Sequence, residues 1–353
     1  MSSQEVSSPP KLNGENPFLL QARSLIKHYP LRRGLLHRAT GTLRAVDGVD
    51  LELSPGETLG LVGESGSGKS TLARLLMGLE EPTSGTVHLR LQGGLVDFGK
   101  LRGRDLAGAR RTVQMVFQNP ASSMNPHMSI REIIAEPLRV QGLARGQELK
   151  SRVQDLLVQV GLLPRHGDLS PRALSGGQLQ RVGIARALAL KPRLLIADEP
   201  VSALDVSVQS QVLNLLMELR ESMGLSCIFI AHNLHLVRCL SHRIAVLYLG
   251  RVVEVGPAQR VSSAPLHPYT QGLLDSIPVN HPAQRRRGPR ALAGEIPDAA
   301  HPPSGCVFHP RCAHAQARCQ QEAPTLREIS QGHRAACHYA EAIKATASRG
   351  EAP

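Results

Sequence analysis

The chain has no tryptophan, and its aromatic share is only 3%. Recognition of single-stranded nucleic acid by base stacking needs aromatic platforms, so this scarcity argues against it. No apolar run approaches the roughly eighteen residues that cross a bilayer, so the chain is not expected to span a membrane by itself. The opening stretch MSSQEVSSPPKLNGENP has no apolar h-region of the kind a secretion signal carries, and residues 1–16 read as a disordered leader. Cysteine is rare through most of the chain, with only Cys227 and Cys239 before position 306. Both fall in apolar or helix-like stretches and read as core fillers. A chain of this kind belongs in a reducing compartment, where a disulfide framework is not expected.

What the chain does have is length, positive charge and a change of composition near its end. At 353 residues it can bury a full core and carry more than one domain. A formal charge of +12 suits polyphosphate, nucleic acid or an anionic membrane as a partner. An ordered domain is expected over residues 17–264, a smaller extension over 265–340 and a flexible tail over 341–353. Within the extension, RRRGPRALAGEIPDAAHPPSG is rich in Pro, Gly and Arg and has linker character.

The ordered domain reads as α/β. TLGLV (Thr58 to Val62) is a short apolar run stopped by glycine, as a buried strand would be, and KSTLARLLMGL follows as a helix. RLLIAD and SCIFIAH are two more buried-strand candidates. VSVQSQVLNLLMELRESMG between them reads as a helix closed by Gly224. Val153, Leu156, Leu157 and Val160 mark one face of another helix, ended by Gly161. RIAVLYLGRVVEVG reads as a hairpin turning near Gly250. Strands alternating with helices imply a parallel sheet with helices on both faces.

GESGSGKST, Gly63 to Thr71, fits G-x-x-x-x-G-K-[ST] between that strand and helix. Gly63, Glu64, Ser65, Gly66, Ser67 and Gly68 form a loop whose glycines let backbone N–H groups approach phosphate oxygens. The helix start at Lys69, Ser70 and Thr71 adds partial positive charge. Lys69 would contact the β- and γ-phosphates of ATP, and the Ser70 hydroxyl would coordinate Mg²⁺. LLIADE supplies two acids at a strand end. Asp198 would hold Mg²⁺, directly or through water, and Glu199 would polarise the attacking water.

LSGGQLQR, Leu174 to Arg181, opens another helix with Ser-Gly-Gly, a second backbone anion site. Its Ser175, Gly176, Gly177 and Gln178 resemble the signature motif of ABC-type ATPases, in which the signature helix of one subunit completes the nucleotide site of its partner. The resemblance covers the whole ordered domain. It implies the P-loop NTPase fold of ABC ATPases, with a RecA-like core, an antiparallel β subdomain and a helical subdomain. Residue by residue it also implies roles. Gln118 in VFQNP resembles the Q-loop glutamine that senses Mg²⁺ and the γ-phosphate. Asp205 in SALD resembles the D-loop at the dimer interface. His232 in IAHN resembles the switch histidine at the γ-phosphate. Tyr29 in KHYP is similar to the aromatic that stacks on adenine, with Pro30 to Arg44 read as an insertion before the next strand. Asn233 departs from the family, which usually has Asp there; Asn keeps the hydrogen-bonding geometry without the charge.

VFQNPASSMNP and PLHPYTQGLLDSIP resemble the peptide-importer branch, the oligopeptide and dipeptide uptake ATPases, with nickel-uptake relatives close in pattern. This resemblance implies an ATPase subunit on the cytoplasmic face of the inner membrane. Its implied partners are two multi-span permease subunits, a second ABC ATPase chain (a heterodimer before a homodimer), and indirectly a periplasmic or extracellular solute-binding protein. No nucleic acid is expected.

The extension holds Cys306, Cys312, Cys319 and Cys337, spaced C-x5-C-x6-C-x17-C. Without a C-x-x-C pair a zinc ribbon fits poorly. Four thiolates suit a soft-ligand metal site, and spacing alone leaves [4Fe–4S] and Zn²⁺ both open. The peptide-importer resemblance implies [4Fe–4S]. The extension is expected to be an accessory module, separate from the catalysis.

Overall fold

β-Strands rich in Leu, Ile and Val lie at the centre of the chain, and their burial explains their unbroken apolar sequence. The computed structural model describes residues 18–33, 38–92, 94–276, 292 and 294–343. The expected leader, the tail beyond residue 343 and residues 285–291 of the linker lie outside the described residues.

The strands are β1 (Leu20–Arg33), β2 (Arg38–Leu53), β3 (Thr58–Val62), β4 (Ser84–Leu91), β5 (Gly94–Asp97), β6 (Val113–Val116), β7 (Leu194–Asp198), β8 (Ser226–Ala231), β9 (Arg243–Tyr248), β10 (Arg251–Pro257), β11 (Arg327–Ser330) and β12 (His333–Ala335). The helices are α1 (Lys69–Leu76), α2 (Gly103–Thr112), α3 (Ile130–Val140), α4 (Gly146–Gln159), α5 (Gly176–Leu188), α6 (Val206–Met223), α7 (Leu234–Leu240), α8 (Ala258–Ser263), α9 (Pro268–Asp275) and α10 (Ala317–Gln321).

The larger sheet has the order β11-β12-β10-β9-β3-β8-β7-β6. Its pairs from β6 to β9 are parallel, and those from β9 outward are antiparallel. Every residue of β3, β7 and β8 is buried, as strands covered on both faces must be. Alternation divides the core in two. Leu59, Leu61, Ile196, Ile228 and Ile230 join α1 and the smaller sheet, while Val62, Leu195, Ala197 and Phe229 join the side carrying α5, α6 and α7.

The smaller sheet, β2-β1-β4-β5, is antiparallel. Pro30 to Arg44, expected as an insertion before the next strand, is corrected for its described part: Pro30 to Arg33 extend β1 and Arg38 to Arg44 begin β2, with Arg33 paired to Arg38, while residues 34–37 lie outside the described residues. The helical subdomain packs α3, α4 and α5 together through Ile133, Ile134, Leu138, Val153, Leu157 and Val182. Ser129 and Glu132 close a capping box at the start of α3, satisfying backbone donors that would otherwise be orphaned. The expected hairpin near Gly250 is β9–β10, turning through Leu249 and Gly250, both at positive φ.

The extension continues this sheet. β12 pairs with β10 through Glu254 with Ala335 and Val255 with Arg334. Glu254 is fully buried, accepts from the backbone N–H of Leu266 and of His267 at 2.9 Å each, and meets His333 Nε2 at 2.8 Å. A buried carboxylate needs this set of partners to remain in the interior.

Candidate active site

The phosphate-binding loop bridges β3 and α1. Gly68 sits at φ 100°, and a Cβ there would lie 2.1 Å from the carbonyl oxygen of Ala45, so only glycine fits. Lys69 is 5% exposed and donates from Nζ to the carbonyls of Gly63 (2.8 Å) and Glu64 (2.9 Å). Burial lowers its pKa, against the pull of Glu199, Asp198 and Glu64. Ser65 and Gly66 are exposed at the loop's crest, and Ser67 is buried beneath it.

Asp198 ends β7 at 6% exposure. Burial raises its pKa, reinforced by Glu199; a hydrogen bond from Ser70 and the charge of Lys69 oppose this. Its Oδ1 is buried and has no hydrogen-bond partner among the described residues. A divalent cation shared with the Ser70 hydroxyl would satisfy that oxygen, so the residues present fit Mg²⁺.

Glu199 follows in a left-handed backbone conformation, φ 44°, held by its N–H to the carbonyl of Ile230 at 2.9 Å. Its Oε2 accepts from Gln118 Nε2 at 2.9 Å and lies 3.8 Å from His232 Nδ1. Gln118 comes just after β6 and His232 just after β8. The carboxyl ends of four strands, β3, β6, β7 and β8, therefore bring together the loop, the glutamine, both acids and the histidine, as ligand sites in open α/β sheets do. Asn233, the family departure, caps α7: its Oδ1 accepts from the N–H groups of His235 (3.0 Å) and Leu236 (3.3 Å).

Tyr29 projects from β1 toward the start of α1. Its hydroxyl donates to the Glu80 carboxylate and meets Thr71, and the Lys27 ammonium lies 5.1 Å above its ring. Ser175 and Gln178 form a capping box at the start of α5. Ser175 and Gly176 are exposed, as is Asp205 before α6. Gly177 is buried; a Cβ there would come 2.4 Å from Val208 Cγ1, so α6 approaches the signature helix at a distance only glycine permits. Hydrogen bonds tie Ser175 to Gln178 and Asp205 to Gln209, within their own segments.

The sequence reading missed two residues here. Glu64 donates its backbone N–H to Tyr269 Oη at 2.8 Å, and its carboxylate takes both arms of the Arg311 guanidinium, at 2.7 and 3.0 Å. Both partners belong to the extension. The extension, expected as an accessory module separate from the catalysis, thus makes direct contact with the phosphate-binding loop. Nothing in local pattern marks the contact, because 247 positions separate Glu64 from Arg311.

The four cysteines of the extension line one pocket, together with Phe308 and Tyr339. Burial pushes the Cys312 thiol up to about 11 and Cys337 up to about 12. Among the described residues, no group of three or more His, Cys, Asp or Glu side chains has the arrangement that holds a metal ion.

Fold and site together define a P-loop ATPase of the ATP-binding-cassette class. The ABC transporter family model matches residues 46–202, and the model for the oligopeptide/dipeptide transporter C-terminal region matches 253–319. The chain is 46% identical to the di/tripeptide transport ATP-binding protein DppF of Pseudomonas aeruginosa, over 92% of this chain and 98% of that one. It is 45% identical to the oligopeptide transport ATP-binding protein AppF of Bacillus subtilis, over 91% of this chain and 97% of that one. Among solved structures, the dimeric post-hydrolysis ATP-binding cassette MJ0796 with ADP and Pi superposes with a TM-score of 0.59 at 30% identity, covering 68% of this chain and 98% of that one. The chain belongs to the family of ABC transporter ATP-binding proteins, in the branch that carries the oligopeptide/dipeptide C-terminal region.

Proposed function

We propose that this protein hydrolyses ATP to power uptake of di- and oligopeptides through a membrane ABC importer. The observation that carries the chemistry is the buried Asp198 Oδ1, without a hydrogen-bond partner among the described residues, beside Ser70 and Lys69 and next to the Glu199 carboxylate, which accepts from Gln118 and lies 3.8 Å from His232 Nδ1. Lys69 and the loop N–H groups would bind the phosphates. Ser70, Asp198 and Gln118 would hold Mg²⁺, which when bound would neutralise charge on the phosphoryl oxygens. Glu199 would orient and deprotonate water, and His232 would contact the γ-phosphate. Tyr29 would pack against adenine.

Ser175, Gly176, Gly177, Gln178 and Asp205 would complete the site of a second ATPase subunit. The exposure of Ser175, Gly176 and Asp205 and the dimeric state of the solved cassette support this. A heterodimer on two multi-span permeases, fed by an external binding protein, is the favoured assembly. No helix among the described residues is long and apolar enough to cross a membrane, in keeping with a peripheral place on the cytoplasmic face. The names of the relatives support a peptide solute over nickel.

Co-expressed with its permeases and binding protein in vesicles, the protein should couple uptake of labelled peptide to ATP hydrolysis. Nickel uptake without peptide uptake would overturn the peptide reading.

We further infer that Cys306, Cys312, Cys319 and Cys337 hold a [4Fe–4S] cluster. All four thiols line one pocket. Four thiolates suit either zinc or a cluster, and the resemblance to peptide importers is what favours the cluster. Anaerobically purified protein should contain about four irons and be brown; stoichiometric zinc without iron would overturn this.

A further inference from the structure

The first residue after Gly63 of the phosphate-binding loop is held on every side. The Glu64 carbonyl accepts from Lys69, its N–H donates to Tyr269 Oη, and its carboxylate pairs with both arms of Arg311. The Arg311 side chain is only 4% exposed, and its guanidinium carbon lies 5.8 Å from the Tyr248 ring centre and 6.0 Å from that of Phe308. Tyr248, Tyr269 and Phe308 pack on one another with ring centres 4.6 to 5.4 Å apart. In a chain with four tyrosines, five phenylalanines and no tryptophan, this is a concentrated use of aromatic surface.

Two physical consequences follow. A paired, aromatic-backed guanidinium has one geometry, so the loop's first peptide is fixed before nucleotide arrives. The pairing also neutralises a carboxylate beside the position of a polyanion; left alone, that carboxylate would repel the triphosphate. Arg311 adjoins Cys312 in sequence, so the backbone that shapes the cysteine-lined pocket also carries the clamp.

We propose that Arg311 is a positioning residue for ATP binding: it clamps Glu64, makes the C-terminal extension part of the nucleotide site, and couples the state of the cysteine pocket to that of the phosphate-binding loop. The inference rests on the ATP reading of the loop; full-length wild type that binds no ATP would sink both together.

The test is equilibrium titration of the full-length chain with Mg-ATP. Arg311→Ala should raise the Kd for ATP about tenfold or more, the scale of a lost charge-assisted pair. Adding Glu64→Gln in that background should recover most of the loss, because no unpaired carboxylate remains. Arg311→Lys, which keeps charge but not the fork, should fall between, and substitutes for Arg311→Ala if that variant is insoluble. A purely structural role would leave the ATP Kd unmoved or give no recovery in the double variant, and either result overturns the clamp. The coupling has its own readout. By reciprocity, ATP should slow alkylation of Cys312 in metal-free wild type and have no effect in Arg311→Ala. Equal alkylation rates in wild type with and without ATP would overturn the coupling.

Discussion

Gln118 and Glu199, 81 positions apart in the chain, share a hydrogen bond in which Gln118 Nε2 donates to Glu199 Oε2 at 2.9 Å. His232 Nδ1 lies 3.8 Å from the same oxygen. Glu199 holds this pose from a left-handed backbone that costs a non-glycine residue about 1 kcal/mol or more. Strain of that kind persists only where the surroundings fix it, and here the surrounding groups stand at the ends of β6 and β8, the two strands that flank β7.

Replacing Gln118 by glutamate removes the donor and sets two carboxylates against each other. One of them must then keep a proton to higher pH. The acid limb of the kcat–pH profile should move to higher pH, and kcat at neutral pH should fall about tenfold or more. Gln118→Ala should lower kcat without moving that limb upward. Steady-state ATPase assays across pH separate the two.

Asn233 does by its Oδ1 what an aspartate would do at the start of α7. Asn233→Asp should leave stability within about 0.5 kcal/mol, because Asn and Asp are near-equal caps. Asn233→Ala should cost about 1 kcal/mol, read as a lower urea midpoint at unchanged slope.

His267 tests how firmly the extension is built in. Its ring is fully buried, its Nδ1 accepts from the Tyr269 N–H, and burial drives its pKa down to about 3. The unfolded chain takes up this proton near pH 6.5 and the folded chain does not. Stability should therefore fall as pH drops from about 6.5 toward 3. His267→Asn can still cap α9 and should flatten part of that slope in thermal melts recorded at stepped pH.

The legible parts of this molecule are those whose chemistry is contiguous. Gly63 to Thr71 and Leu194 to Glu199 carry both the residues and the strand context that explain them, and the structure sets them side by side. Val153, Leu157 and Val160 turned inward as their spacing required. Pro30 to Arg33 and Arg38 to Arg44 read as part of an insertion because a proline and a run of cations obscure strand alternation, and the pairing of β1 with β2 outweighs them. Arg311 was missed for a different reason: its meaning lies in a partner 247 positions away, and pairings at such separation leave no periodic trace. The joining of β12 to β10 is hidden likewise, since a three-residue strand is too short to show a period.

The central claim is that Glu199 activates water for hydrolysis of ATP held by the Gly63–Thr71 loop. Glu199→Gln keeps size and hydrogen bonding but removes the base. Single-turnover hydrolysis should slow by about a hundredfold or more, while ATP still binds and the protein accumulates as an ATP-bound dimer on size-exclusion chromatography. Hydrolysis at the wild-type rate would contradict the account.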